Sequence, residues 1–399
     1  MKTAVAVRSS DERGFTLTEM MVAAVSSAVI VAAGFGALTV SQKATRANSQ
    51  AMNTQSTARN ALDMITADLK LAGYGMQGTA GPVGNCAING APAAIVPADN
   101  NPLGADTGPD IISMVVPMTN SVALAGPLWQ LAANVGPGFN TIPMPAGATT
   151  AMGNAIPGGG AALLGMDVSI GGAASSRITG VGAAALNLNP VAAPIQFGTG
   201  TQVYLLQCIT YQVIPPPDLL NLCLGNAPCL VRGVAPAAVG AGPNCNNPGN
   251  ACVVIMDGVE DLQVAYACDG CSPAINSGNP DGQIDDLDGS NSFTQGDFVM
   301  NLNWFAPAAP FVGTYMTPSN IRLAQVTLVA RQTGLDQGSG ETNQVQINSG
   351  VIPIVGGDHN HANGVFVAGD NATPAQQQAY LQFRRRILTR TVELRNQRF

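Results

Sequence analysis

The stretch from Arg13 to Val40, RGFTLTEMMVAAVSSAVIVAAGFGALTV, holds one carboxylate, Glu19, followed by 21 residues with no charge. A run that long and that apolar can cross a bilayer as a helix. A bare carboxylate at the bilayer centre costs on the order of 3 kcal/mol on insertion scales, so Glu19 must sit near an interface or find a partner. The residues before the run carry charge, with Lys2, Arg8 and Arg13 among them, and the long apolar segment starts directly after Gly14. A secretory signal has its apolar core before the cleavage site, whereas here the order is inverted. Cleavage after Gly14 keeps the apolar segment as an anchor, and the positive leader puts its own end on the cytoplasmic side. Glu19 then becomes the fifth residue of the mature chain, beside a new α-amino group. In a helical assembly it could pair with the amino group of a neighbouring subunit's first residue.

The helix should outlast the membrane. No proline occurs between Gly14 and Pro82, and Ala44, Ala47, Ala51, Ala58, Leu62, Ile65 and Leu69 recur at helical spacing. They form one apolar stripe among polar neighbours. Gly73 and Gly75 provide the stop, and Gly34 and Gly36 should weaken the helix locally. From Phe15 to Ala72 such a helix measures roughly 87 Å at 1.5 Å per residue. Its second half must carry a domain packed on the stripe.

Charged residues make up only 10% of the 399 residues, with 46 Gly and 27 Pro. That is far below the usual quarter and implies many turns and long irregular connections. Net charge is −7, and removing residues 1–14 leaves 14 basic against 22 acidic groups, or −8. This balance gives no general attraction to nucleic acid. Residues 75–200 form a Gly/Ala/Pro-rich region with short β-like runs such as 110–116. Stronger strand signals follow at 201–214, 252–256, 259–266 and 321–331, and the basic stretch 384–396 reads as a final strand. The 321–331 run alternates as a half-buried antiparallel strand would.

Seven of eight cysteines fall between Cys208 and Cys271. An even number in a loop-rich region reads as disulfides in an oxidising compartment, with Cys268–Cys271 as a local pair and Cys223, Cys229, Cys245 and Cys252 as further candidates. Zinc at Cys268-x-x-Cys271 is the alternative, but neither a second such pair nor a nearby histidine completes four ligands.

Arg13-Gly14-Phe15-Thr16-Leu17-Thr18-Glu19 ahead of a charge-free run resembles the leader of type IV pilins and their relatives. That resemblance implies a prepilin peptidase cutting between Gly14 and Phe15 and methylating the new N-terminal Phe15, and an assembly role for Glu19. Residues 58–74, 258–266, 322–331 and 384–396 are similar to PilW-type minor pilins. The Gly/Ala-rich middle and the cysteine cluster depart from that family. The expected fold is α+β: a long N-terminal helix, part anchor and part amphipathic, packed on an antiparallel β-sheet domain with long Gly/Pro-rich loops. The expected division is leader 1–14, membrane half 15–40, amphipathic half 41–74, variable region 75–200 and β-rich domain 201–399. The resemblance further implies a scarce structural or priming subunit, without catalytic activity, serving assembly, adhesion or twitching. It would be held by a single pass in the inner membrane with a periplasmic domain, then enter an extracellular pilus. Its partners would be other minor and major pilins, a tip adhesin and the assembly platform. A minor pseudopilin of a type II secretion system shares the leader, the anchor and a β domain.

Ser277, Asn279, Asp281, Gln283, Asp285 and Asp288 fall at positions 1, 3, 5, 7, 9 and 12 of a calcium loop, with Gly282 at the sharp turn. A solvated Asx-rich turn accounts for the same residues. His359 and His361, the only histidines, sit in a Gly-Gly-Asp context that reads as a turn. No Ser/His/Asp or Cys/His arrangement stands out, which disfavours a secreted calcium-dependent enzyme on an anchor.

Overall fold

The computed structural model describes residues 16–76, 83–88, 91–98, 109–118, 129–154, 156, 159–191, 195–214, 221–224, 227–234, 252–270, 279–298, 318–332 and 385–396. The chain divides into two units, one ending at Met52 and the other beginning at Asn53. Helix α1 (Leu17–Leu71) supplies residues to both.

In the first unit α1 is apolar and exposed, with Leu17, Val25, Ile30, Phe35 and Val40 all open. Its length and composition suffice to cross a membrane. It passes through Gly34 and Gly36 without a break. The local weakening expected there does not show as an interruption. The hydroxyls of Ser26 and Thr39 donate to the carbonyls of Ala23 (3.0 Å) and Gly36 (2.8 Å), which satisfies both inside the helix.

The second unit holds the end of α1, a short helix α2 (Ala148–Asn154) and fourteen strands among the described residues. These are β1 (Ala87–Ile88), β2 (Ala91–Pro92), β3 (Ile95–Ala98), β4 (Ile111–Pro117), β5 (Thr141–Pro143), β6 (Asp167–Ile170) and β7 (Ala174–Val181). They continue with β8 (Ala185–Leu188), β9 (Val203–Ile214), β10 (Cys229–Val234), β11 (Val253–Asp257), β12 (Val259–Cys268), β13 (Ile321–Arg331) and β14 (Arg385–Glu393). One nine-stranded sheet runs β11-β10-β9-β6-β7-β8-β5, with β4 also on β9 and β3 on β4; a second is β12-β13-β14, and β1 and β2 pair alone. All pairings are antiparallel. Asp110 joins the two larger sheets: its N–H donates to Leu262 O (2.8 Å), and its Oδ2 accepts from Val264 N (2.8 Å).

The α1 stripe is buried only in this unit. Ala58, Leu62, Ile65 and Leu69 are enclosed, while Ala47 and Ala51 are half-buried and Ala44 is exposed. The enclosed residues pack with strands of both larger sheets, including Met114, Ile209, Tyr211 and Leu230 on one and Leu262, Val326 and Leu328 on the other. On α1 the carboxylate of Asp68 enters this core, where it accepts from Tyr211 Oη (2.6 Å) and Arg232 Nε (2.8 Å). Burial first, and then the Asp68 charge, push the Tyr211 phenol far up. Gly73 and Gly75 end the helix at φ 78° and 83°, as expected. A Cβ at Gly73 would overlap the carbonyl oxygen of Asn396, so the C-terminal segment itself requires glycine there.

The 75–200 region holds more structure than its composition suggests. Trp129, Ile142, Met152, Val168, Ile178 and Leu186 build a second core with α2 and β5–β8. β9 feeds both cores, Val203 and Leu205 into this one and Ile209, Tyr211 and Val213 into the other. The expected half-exposure of β13 is corrected: Gln325, Thr327 and Val329 are buried as well as Val326 and Leu328. Part of the cover on that second face comes from Phe298 and Ile284, which pack with Leu323, Ala265 and Ala267.

Candidate functional site

Glu19 lies in the first turn of α1 and serves its own helix. Its Oε2 accepts from the N–H and the hydroxyl of Thr16, both at 2.9 Å, and its own N–H donates to Thr16 Oγ1 (3.3 Å). This is a reciprocal capping box, which satisfies donors that the helix start leaves orphaned. The Thr-x-x-Glu spacing ahead of an apolar run was the available signal, and sequence reasoning passed over it. Gly14 and Phe15 lie outside the described residues.

The acidic loop 279–298 is organised around Asp269, which is fully buried at the end of β12. That carboxylate accepts from the N–H of Asp281 (2.8 Å) and Gly282 and from Arg322 Nη2 (2.8 Å) and Nε (3.1 Å). Burial opposes its charge, but Arg322 and the two amides outweigh burial and hold the carboxyl below its ordinary range. Asp285 is buried too: its Oδ1 accepts from Gly270 N (3.0 Å) and its N–H donates to Cys268 O (2.9 Å). Asp281 Oδ1 accepts from Gln283 N (2.9 Å). Two carboxylates of the expected calcium frame, Asp281 and Asp285, are thus engaged on backbone amides. Asn279 and Gln283 lie in the same loop, and Ser277 falls outside the described residues.

Asp288 belongs to a different grouping. Carboxylate oxygens of Asp286, Asp288 and Asp297 lie within 4.8 Å of one another. Asp297 is buried and accepts from Leu287 N (2.8 Å) and Thr294 N (2.6 Å), which fixes its direction. Asp286 accepts from the N–H of Ser290 (3.0 Å) and Asn291 (2.6 Å). The Thr294 hydroxyl and then Ser290 pull the Asp288 carboxyl down to about 2. A twelve-residue count started at Asp286 puts Asp288, Ser290, Ser292, Thr294 and Asp297 at positions 3, 5, 7, 9 and 12. Asn291, at position 6, has φ 59°. The frame expected from the sequence begins nine residues earlier, at Ser277, and includes neither Asp286 nor Asp297.

Two disulfides are described. Cys223–Cys229 joins two of the expected candidate cysteines, a pairing the sequence left open, while Cys86–Cys208 spans 122 positions and was not expected. Cys252 and Cys268 are also disulfide-bonded. An oxidised Cys268 removes the zinc alternative. Cys245, Cys271, His359 and His361 lie outside the described residues.

No curated protein and no solved structure matches the chain. The family model described as PilW, Type IV Pilus-assembly protein W, matches residues 227–396. Strands β10 to β14 all fall inside that match, which associates this chain with the type IV pilus.

Proposed function

We propose that the chain is a minor pilin, a scarce structural or priming subunit of the type IV pilus. The observation that carries this is a juxtaposition on one helix. α1 starts as an exposed apolar span whose one charge is Glu19 and ends as a stripe buried against strands inside the pilus-assembly match. In this reading Gly14 is the cleavage residue, Phe15 becomes the methylated N-terminus, and residues 15–40 hold the subunit in the inner membrane with its β unit in the periplasm. Glu19 then exchanges its Thr16 contacts for the amino group of a neighbouring pilin on incorporation. The role is mechanical and adhesive rather than catalytic, in company with major and minor pilins and a tip adhesin.

Deleting the gene should abolish surface pili and twitching, and the full-length chain supplied in trans should restore both. Normal pili together with lost protein secretion would overturn the reading in favour of a type II secretion pseudopilin. N-terminal mass spectrometry of fibre-derived protein should begin at a methylated Phe15; an intact Met1 would refute the processing.

A calcium ion at Asp286, Asp288 and Asp297 belongs to the same proposal. Hard carboxylate oxygens suit calcium at extracellular millimolar levels. The oxidised chain should melt at a higher temperature in millimolar calcium than in chelator. Asp286→Asn with Asp288→Asn should remove the difference, and no calcium-dependent shift in the wild type would reduce the loop to an Asx turn.

A further inference from the structure

We propose that Lys43 and Arg46 form a binding site for the headgroups of anionic phospholipids. Both side chains are exposed on α1 and, three residues apart, share one side of it. The uncharged residues 20–42 measure roughly 35 Å along a helix, against about 30 Å of bilayer hydrocarbon. With Glu19 at one interface, Lys43 and Arg46 fall in the opposite headgroup layer. No acidic residue occurs between Glu19 and Asp63, and neither cation makes an ion pair among the described residues. Like charges at this spacing repel. A phosphate between them relieves that repulsion, meeting the planar fork of Arg46 and the point charge of Lys43. The neighbours Gln42, Asn48, Ser49 and Gln50 are polar and uncharged, so they add hydrogen bonding without neutralising the site.

The site rests on α1 being a membrane anchor, and the experiment separates the two ideas. The full-length chain is reconstituted into nanodiscs of phosphatidylcholine with one-third phosphatidylglycerol, and retained lipids are counted by native mass spectrometry. The wild type should retain phosphatidylglycerol in preference, by about fivefold per cation. Lys43→Gln with Arg46→Gln should lose that preference. Lys43→Arg and Arg46→Lys should keep it, as should Arg59→Gln farther along the helix. A double variant that retains the wild-type preference, or an equal loss in Arg59→Gln, would overturn the site while leaving the anchor standing. A wild-type chain that fails to enter nanodiscs would overturn the anchor and the site with it.

Discussion

The two large cores of the β unit are made of different materials. The first gathers the α1 stripe with strands of both larger sheets, and it is tied by charge. Asp68 takes Arg232 and Tyr211, and Glu260 takes Arg331 (3.3 Å) and Arg385 (2.6 Å). The second lies between residues 118 and 205, where Asp167 and Arg177 are the only charged residues. It relies on Trp129, methionines and short strands joined by tight turns. The pilus-assembly match covers only residues 227–396, entirely outside that second core. The difference teaches a division of labour. A charged, helix-centred core forms the frame, and an almost uncharged core is attached to it through β9. A region built that way can change its surface without disturbing the seat of the helix.

Breaking one core at a time tests that division, and these are the largest effects expected. Asp68→Ala leaves the largely enclosed Arg232 and the buried Tyr211 hydroxyl without their carboxylate, which should cost about 3 kcal/mol. Trp129→Ala empties a fully buried indole site, with a similar expected cost of about 3–5 kcal/mol. Hydrogen exchange should locate the first loss in β9, β10 and α1 and the second in β6–β8 and α2. If either variant releases both regions together, the cores are one cooperative unit.

Next in size is the Cys86–Cys208 bridge, which ties the chain beyond α1 to the centre of β9. Replacing both cysteines by serine should lower stability by about 2–4 kcal/mol, because a long loop regains its freedom in the unfolded chain. Cys223–Cys229 closes a span of 6, so its removal should cost less in denaturant titration. Equal losses would show that strain or packing, rather than loop closure, sets their value.

The first core was far more legible than the second. α1 and strands β4, β9 and β11–β14 announce themselves through helical spacing or runs of β-branched residues. β5 to β8 do not. Ala174–Val181, for instance, reads ASSRITGV, where small and polar residues leave no periodic signal although Ala174 and Ile178 are fully enclosed. The Cys86–Cys208 pairing was invisible because nothing local relates residues so far apart. The calcium frame was ambiguous for another reason. Two overlapping counts carry oxygen side chains at similar spacing, and only the burial of Asp285 against Gly270 shows that its carboxylate is already occupied. Such occupancy is a tertiary fact that spacing cannot carry.

The smallest predicted effect separates the two regions by the sign of their response to pH. Asp269, beside the first core, is held below its ordinary range although burial opposes its charge. Its contribution is therefore complete above the unfolded value near 3.9 and lost as pH falls through the folded value. Asp167, beside the second core, shifts the other way. Burial dominates there, and neither half-exposed Arg177 at 3.3 Å nor the Gly84 amide at 3.3 Å compensates, so its carboxyl is raised. Its contribution is complete below the unfolded value and lost as pH rises through the folded one. Acidifying from pH 6 to pH 3 should therefore weaken protection around Asp269 while strengthening it in β6 and β7. Asp269→Asn should flatten the acid-side loss, and Asp167→Asn should remove the gain in β6. Parallel loss of protection in both regions, unchanged by either variant, would mean that general charge rather than these two carboxylates governs acid stability.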